Sequence, residues 1–204
     1  MRGLYLITND DPFPQLKHKL TLALATQQIA LLQYRRKHAT ASEKIDELRQ
    51  LKQLCEHYHT PLIVNDDIQL AQQFALNVHL GQDDGEIAHA RQAVGEQAII
   101  GRTCMDSLYF AEQAVHDGAD YIAFGAIYTS QSKQTQAKNI DLQILRQAKQ
   151  QFPNMPICAI GGLTVENAAP VIAAGADLCA VIGDVLARDA AEIEQRVWAW
   201  SALF

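Results

Sequence analysis

Pro61-Leu62-Ile63-Val64-Asn65-Asp66-Asp67 is the stretch that decides the fold, because its short apolar run ends directly in carboxylates. A run of this length with β-branched residues and a polar end is typical of a buried strand in a parallel sheet. The same pattern recurs at roughly even spacing along the chain. The predicted strands are Leu4–Thr8, Ala30–Tyr34, Leu62–Asn65, Val78–Leu80, Ala98–Arg102, Tyr121–Phe124, Ile157–Ile160 and Leu178–Ile182.

Amphipathic segments separate these apolar runs. Ser42–His57 and Asp106–His116 place apolar residues at helical spacing, and a last helix is predicted over Ala190–Trp200. Polar residues that precede such segments suit helix N-caps. The predicted N-caps are Ser42, Asp106 and Asp141.

Eight strands that alternate with helices predict a parallel sheet. Eight units in 204 residues leave about 25 residues for each, close to the lower size limit of a closed eight-stranded barrel. An open doubly wound sheet is the alternative, but it usually has a glycine-rich turn after its first strand. Thr8-Asn9-Asp10-Asp11-Pro12 contains no glycine. We therefore expect the α/β class and a (β/α)8 (TIM) barrel, with residues 1–204 forming one domain.

The composition excludes several classes of protein. The chain has 17 basic and 23 acidic residues and a net charge of −6, which argues against binding to nucleic acid or an anionic membrane. The sequence has no run of 18 apolar residues, and Met1–Thr8 lacks the long apolar core of a signal peptide. We therefore expect a cytoplasmic protein that does not span a membrane.

Carboxylates follow two neighbouring predicted strands. In a barrel of this kind, the carboxyl ends of all strands lie on one rim, where such enzymes have their active sites. Asp66 and Asp84 end the third and fourth strands and suit Mg²⁺, which prefers oxygen ligands. One carboxylate in each of the pairs Asp66-Asp67 and Asp83-Asp84 is expected to cap a helix instead.

A basic segment follows the second predicted strand. Gln33, Arg35 and Lys37 would project to one side if the strand continued to Lys37. Two cations beside an amide suit a highly charged anion such as a diphosphate. Arg36 is expected to be solvated.

Two other rim segments suit anions. Gly161-Gly162 and Ile182-Gly183 follow the last two strands, where barrels commonly bind phosphate through backbone N–H groups. Ser130-Gln131-Ser132-Lys133 begins a polar stretch that is the best candidate for a substrate loop. His79 lies within a predicted strand and is expected to be hydrogen-bonded or packed rather than catalytic.

Together, these rim segments resemble the thiamine phosphate synthase family from Tyr5 to about Leu186. The matching segments occur in the family's order along the chain. They are Gln33-Tyr34-Arg35-x-Lys37, Val64-Asn65-Asp66-Asp67, His79-Leu80-Gly81-Gln82-x-Asp84, Gly125-x-Ile127-Tyr128, Ala159-Ile160-Gly161-Gly162 and Ala176-Asp177. The resemblance implies a (β/α)8 barrel that joins hydroxymethylpyrimidine diphosphate to a thiazole phosphate. Its products would be thiamine phosphate and diphosphate.

The resemblance also implies a role for each matching residue. Asp66 and Asp84 would hold Mg²⁺ as the cofactor, and Lys133, Arg35 and Thr103 would act on the departing diphosphate as catalytic residues. The partners would be small-molecule substrates, and a homo-oligomer stays open. The substrate-binding residues would be Gln33, Tyr34, Arg35, Lys37, Asn65, Thr103, Ser130, Gln131, Ser132, Lys133, Gly162, Ile182 and Gly183.

The chain departs from the family pattern at several rim positions. Arg102 brings a cation into a segment that is usually small, and Gly183 replaces a common serine. Ser130 and Ser132 stand where the family has threonines. Two alternatives therefore stay open: a related thiazole tautomerase, and a relative that binds thiamine precursors without catalysis. The tautomerases generally lack the paired aspartates and have a histidine where this chain has Ala126, which favours the synthase.

Overall fold

Eight parallel strands close into a barrel in the computed structural model, which describes residues 1–129 and 140–204. Each strand pairs with the next one in the chain, and the eighth strand pairs with the first. The strands are β1 (Gly3–Ile7), β2 (Ile29–Tyr34), β3 (Leu62–Asn65), β4 (Asn77–Leu80), β5 (Ile100–Met105), β6 (Tyr121–Gly125), β7 (Ile157–Ile160) and β8 (Leu178–Val181).

Helices follow the strands and form the outer layer, so the predicted (β/α)8 barrel is confirmed. Within the described residues, no helix is both long and apolar enough to cross a membrane. The helices are α1 (Phe13–Ala25), α2 (Ala41–His57), α3 (Ile68–Phe74), α4 (Ile87–Val94), α5 (Leu108–His116), α6 (Gln143–Gln151), α7 (Ala169–Ala173), α8 (Gly183–Leu186) and α9 (Ala190–Ser201).

Most predicted strand boundaries lie within one residue of the observed ones, and β5 is the main exception. It was predicted over Ala98–Arg102 but runs from Ile100 to Met105. The pairing with β4 starts only at Ile100, and the pairing with β6 continues beyond Thr103 through a bulge. Thr103 therefore lies within a strand, and its position is fixed by neighbours on both sides.

Two of the predicted N-caps are wrong by one or two residues. Helix α2 begins after Thr40, which forms a capping box: the Thr40 hydroxyl accepts the Glu43 N–H, and the Glu43 carboxylate accepts the Thr40 N–H. Helix α5 begins after Ser107, whose hydroxyl accepts the Phe110 N–H at 3.3 Å. Ser42 and Asp106 each stand beside the residue that has the right backbone conformation for a cap.

The third predicted N-cap is also wrong: the Asp141 carboxylate accepts the Gln143 N–H at 2.9 Å, but the N-cap of α6 is Leu142. Of the two aspartate pairs, only the first follows the expectation. The Asp67 carboxylate caps α3 by accepting the Leu70 N–H at 2.9 Å, whereas the N-cap of α4 is Glu86 and neither Asp83 nor Asp84. Because the Asp67 carboxylate caps α3, Asp66 is the carboxylate of that pair that can bind a ligand at the rim.

The apolar core has two layers, one between strands and helices and one inside the barrel. Gly101 is needed in the inner layer, because a Cβ there would lie 2.0 Å from Cζ of Tyr121. The phenol ring of Tyr121 thus fills the space that a side chain on β5 would take. The inner layer consists of Tyr5, Ile7, Leu31, Ile63, Tyr121, Ala123, Cys158, Leu178 and Ala180.

Candidate active site

A cavity of about 690 Å³ lies at the carboxyl ends of β2, β3 and β4. It brings the predicted basic and acidic segments together, so the two aspartates lie on the same side of the molecule as Arg35. Lys44 and His89, which the sequence analysis did not identify, also line this cavity. The predicted site residues that line it are Tyr34, Arg35, Lys37, Asn65, Asp66 and Asp84.

Local backbone geometry holds the acidic pair at the rim. Asp66 has a φ of 63°, in the left-handed region, and its N–H donates to the carbonyl of His79 at 2.8 Å. The Asn65 amide donates to Asp66 Oδ2, and Asp84 Oδ2 accepts the Gly81 N–H at 3.0 Å. A Cβ on Gly81 would lie 2.4 Å from Asp84 Oδ2 and 3.9 Å from Asp66 Oδ1. Glycine at this position therefore gives both carboxylates their space.

The electrostatics of this pair suit a cation. Burial, a hydrogen bond with Asp84 and the negative charge of Asp84 raise the pKa of Asp66 to about 6. Two carboxylates this close repel each other when both are ionised, and a divalent cation between them would remove that repulsion. Among residues 1–129 and 140–204, no group of three or more His, Cys, Asp or Glu side chains is arranged to hold a metal. The donor set fits Mg²⁺, which binds through one or two carboxylates and keeps water or phosphate oxygens as its other ligands.

The basic segment Arg35–Lys37 is held in place by hydrogen bonds to its backbone groups rather than by pairing within a strand. Strand β2 ends at Tyr34, so the condition under which Gln33, Arg35 and Lys37 would project to one side of a strand is not met. The Thr8 hydroxyl accepts the Arg35 N–H at 2.7 Å and donates to the Arg35 carbonyl, while Asp10 accepts the Lys37 N–H at 3.0 Å. The side chains of Arg35 and Lys37 make no hydrogen bond or ion pair with another described residue. Both cations are therefore available to an anion.

Arg36 is only partly exposed and is ion-paired, which corrects the expectation that it is solvated. Its guanidinium makes two hydrogen bonds of 3.1 Å to Glu47 of α2, and the exposed fractions of these side chains are 11% and 8%. Tyr34 lies beside them and donates its hydroxyl proton to Glu47 at 2.7 Å. The Tyr34 hydroxyl is thus hydrogen-bonded to Glu47. The ion pair between Arg36 and Glu47 anchors the segment that contains Arg35 and Lys37 to α2.

Gln33 and Thr103 lie at the two ends of a chain of hydrogen bonds inside the barrel. Gln33 donates to the Tyr5 hydroxyl at 2.7 Å, and the Tyr5 and Tyr121 hydroxyls lie 2.8 Å apart. His79 Nδ1 lies 2.8 Å from the Tyr121 hydroxyl, and His79 Nε2 lies 2.8 Å from Thr103 Oγ1. The expectation that His79 is hydrogen-bonded is confirmed. Burial, with a smaller effect from Arg102, lowers its pKa to about 4.

Arg102 contacts the loop that carries Asp84. Its guanidinium donates to the carbonyls of Gly85 at 2.7 Å and Gln82 at 3.2 Å. Gln82 in turn donates its side-chain amide to the carbonyl of Thr103. The cation that departs from the family pattern therefore fastens the loop after β4 to β5.

The predicted phosphate cradle lies on the other side of the rim, after β7 and β8. Gly162 has a φ of 58°, and a Cβ there would lie 2.8 Å from the carbonyl oxygen of Thr129, so only glycine fits. Ile182 precedes α8 and packs against the inner layer, and Gly183 begins that helix with no atom within 4 Å of an added Cβ. The predicted loop residues Ser130, Gln131, Ser132 and Lys133 lie outside the described residues.

Arg196 of α9 ties the loops after β7 and β8 together. Its guanidinium binds both carboxylate oxygens of Glu166, at 2.6 and 2.7 Å, and also contacts Asp184 in α8. The buried Trp200 donates its indole N–H to the same Asp184 carboxylate at 2.7 Å. Asp184 lies in the first turn of α8, beside the predicted phosphate cradle, and these bonds pair its negative charge with the Arg196 cation.

Comparisons with known proteins identify the family of this chain. The model of the thiamine monophosphate synthase family matches residues 4–185. A thiamine-phosphate synthase from an Azoarcus species is 45% identical over 210 residues, covering 100% of this chain and 98% of that protein. One from Marinobacter nauticus is 44% identical over 205 residues, covering 99% and 90%. The structure of a thiamine phosphate pyrophosphorylase from Pyrococcus furiosus matches with a TM-score of 0.82 at 27% identity, covering 98% of this chain and 94% of that chain. The chain therefore belongs to the thiamine monophosphate synthase family.

Proposed function

We propose that the chain joins hydroxymethylpyrimidine diphosphate to a thiazole phosphate and releases diphosphate, as a transferase of thiamine biosynthesis. Membership of the family supports this reaction. The structural observation that supports it is that Asp66 and Asp84 line the same cavity as Arg35 and Lys37. The side chains of Arg35 and Lys37 have no hydrogen bond or ion pair with another described residue. A diphosphate suits both kinds of group, because the cations neutralise its oxygens and the carboxylates would hold a metal ion that adds further positive charge.

The bonds that break and form in this reaction are all in the two substrates, so the protein's own side chains form no covalent bond. The carbon–oxygen bond between the pyrimidine methylene and the diphosphate breaks, and the electron pair leaves with the diphosphate. The thiazole nitrogen then uses its lone pair to form a carbon–nitrogen bond to that methylene. Such a reaction needs no protein nucleophile, so the work of the site is positioning and stabilisation of the leaving group.

Each side of the rim has a separate task in this proposal. Arg35, Lys37 and Lys133 bind the diphosphate, and Thr103 contacts it from β5. Asp66 and Asp84 would hold Mg²⁺, which when bound supplies charge neutralisation of the diphosphate oxygens. The remaining substrate contacts in this proposal are Gln33 and Asn65 to the pyrimidine diphosphate and Gly162, Ile182 and Gly183 to the thiazole phosphate. Ser130, Gln131 and Ser132 are further substrate-binding residues.

The thiazole phosphate would bind through backbone groups rather than cations. Gly162 is held by Asn167, whose amide donates to its carbonyl at 2.9 Å while its side-chain oxygen accepts the Thr164 N–H at 2.8 Å. This arrangement fixes the loop after β7 and leaves its N–H groups for an oxyanion. The position of the second substrate across the barrel mouth from the diphosphate supports attack from the side opposite the leaving group.

The test is a coupled assay for diphosphate release with both precursors and Mg²⁺. We expect release that stops on chelation, and Asp84→Asn should raise the Mg²⁺ concentration for half-maximal rate at least tenfold. Asp83→Asn is the matched control: Asp83 is exposed, the charge change is the same, and the rate should stay unchanged. No release with either the carboxylated or the uncarboxylated thiazole phosphate would contradict the proposal.

The same assay separates the two alternatives. A thiazole tautomerase would convert its substrate after chelation of all metal. A non-catalytic relative would show a rise in Tm with thiazole phosphate or thiamine phosphate but no turnover. We also propose that the enzyme works in the cytoplasm. Its acidic net charge supports small molecules, rather than nucleic acid or an anionic membrane, as its partners.

A further inference from the structure

The hydrogen-bond chain inside the barrel crosses it from Gln33 of β2, the residue before the cavity-lining Tyr34, to Thr103 of β5. Its three middle members, Tyr5, Tyr121 and His79, are buried, and all four of its bonds are 2.7 or 2.8 Å long. The surrounding inner layer is otherwise apolar. Burying three polar groups in such a layer is costly unless every one of them is hydrogen-bonded. A structural role alone would be met more simply by apolar side chains.

The protons in this chain can be placed by counting donors. The Gln33 amide nitrogen can only donate, so the Tyr5 hydroxyl is an acceptor from it. If Tyr121 also donated to Tyr5, the single proton of Tyr5 would have no acceptor among the described residues. The arrangement that uses every proton therefore has Tyr5 donating to Tyr121 and Tyr121 donating to Nδ1 of His79. Nε2 of His79 then carries the proton and donates to Thr103.

The two ends of the chain consequently present fixed hydrogen-bonding atoms. Gln33 directs its nitrogen inward, so its carbonyl oxygen is the atom left for a ligand at the rim. Thr103 accepts from His79, so its own hydroxyl proton is left to donate outward. An acceptor at one end suits the exocyclic amine of an aminopyrimidine, and a donor at the other end suits a diphosphate oxygen.

We propose that Tyr5, Tyr121 and His79 are positioning residues that fix the direction in which Gln33 and Thr103 present their hydrogen-bonding atoms to the pyrimidine diphosphate. This inference rests on the proposed function, because it assigns the chain to that substrate. It adds three residues that touch neither substrate and that act through the two residues at the ends of the chain.

Two further observations concern how His79 is held in the chain. His79 is buried, and each of its ring nitrogens has one hydrogen-bond partner, which suits an imidazole with one donor and one acceptor. Gly101 leaves room for the phenol of Tyr121, whose ring stacks on His79 with centroids 5.5 Å apart and an interplanar angle of 21°. The imidazole is thus held by packing as well as by its bonds.

The kinetic test removes one hydroxyl from the middle of the chain. Tyr121→Phe should lower kcat/KM for the pyrimidine diphosphate about tenfold and leave KM for the thiazole phosphate unchanged. Cys158→Ala is the control, because Cys158 lies in the same inner layer and belongs to no part of the chain. It should lower Tm without altering either kinetic constant. If Tyr121→Phe changed only Tm, the positioning role would be wrong.

A double-mutant cycle shows whether Tyr121 acts through Thr103. Thr103→Val removes the hydroxyl and should itself lower kcat/KM, whereas Thr103→Ser should keep most of it. In the Thr103→Val background, Tyr121→Phe should have little further effect, because the group it positions is already absent. Additive losses in kcat/KM would overturn the proposal.

The tautomer of His79 gives a readout that does not need turnover. In ¹⁵N NMR spectra of the wild-type protein, with the His79 signals assigned by comparison with His79→Gln, we expect a proton on Nε2 and none on Nδ1. A proton on Nδ1 would reverse the chain and overturn the proposal. If the wild type showed the expected tautomer but no diphosphate release, the proposed function would fail while the direction of the chain stood.

Discussion

Glu47→Ala is expected to destabilise the barrel strongly, although Glu47 lies outside the proposed site. The substitution removes the only carboxylate that Arg36 contacts among the described residues and also the acceptor of the Tyr34 hydroxyl. Arg36 would stay 11% exposed in a protein interior with no counter-charge. Removing one partner of a buried ion pair typically costs about 3–5 kcal/mol.

The lower end of that range applies to this pair. Arg36 keeps two backbone acceptors, the carbonyls of Asn9 at 3.0 Å and Asp11 at 2.6 Å. We therefore expect a loss of about 3 kcal/mol in the free energy of unfolding. For a chain of this size, that corresponds to a fall in Tm of about 6–12 °C. The KM for pyrimidine diphosphate should rise as well, because Arg36 lies between Arg35 and Lys37.

Urea denaturation followed by circular dichroism measures the change, and an exposed ion pair on the same helix supplies the control. Arg49 and Asp46 of α2 form an ion pair of 2.8 Å with exposed fractions of 60% and 65%. Asp46→Asn should change the free energy of unfolding by less than about 0.5 kcal/mol. A loss below about 1 kcal/mol for Glu47→Ala would refute the reasoning, because it would mean that solvent screens Arg36.

Three further substitutions test other parts of the site. Arg102→Met should raise the Mg²⁺ concentration for half-maximal rate about tenfold, because the Asp84 loop loses two hydrogen bonds; an unchanged Mg²⁺ titration would contradict this. Gly101→Ala should cost about 1–3 kcal/mol in thermal or urea unfolding, since its Cβ meets the Tyr121 ring at 2.0 Å; a neutral result would show that the ring moves aside freely. Gly183→Ser has open space for its side chain and adds a donor, so KM for thiazole phosphate should fall about threefold in steady-state assays; a rise would place the phosphate elsewhere.

The strands and the location of the site could be predicted because both depend on local pattern. The run Leu62–Asn65 is a strand at the predicted bounds, and the carboxylates that follow it lie on the cavity. Parallel strands bring their carboxyl ends to one rim whatever the details of packing. A pattern of apolar runs with polar ends was therefore enough to predict that Asp66, Asp84 and Arg35 lie together.

The contacts between distant residues could not be predicted in this way. Arg36 stands in a basic segment that looks solvated, and only the packing of α2 brings Glu47, eleven positions later, against it. Lys44 lines the cavity for the same reason. The bonds from Tyr5 to Tyr121 and from His79 to Thr103 join different strands, so single-strand patterns contain no signal for them.

Helix starts failed for a different reason. Asp106 and Ser107 are both good capping residues by type, yet it is Ser107 that has an extended backbone and accepts the helix N–H with its hydroxyl. Residue type sets the preference for a cap, but the incoming chain direction decides which of two neighbouring candidates takes the position.

The bonds of Arg196 have a practical consequence for anyone who shortens or fuses this barrel. Helix α9 lies in the outer ring, where deletion of a terminal helix often looks harmless. A chain cut before Arg196 would release Glu166 and Asp184 together, and two rim loops would lose their common anchor. Any truncation within α9 should therefore keep both Arg196 and Trp200 in place.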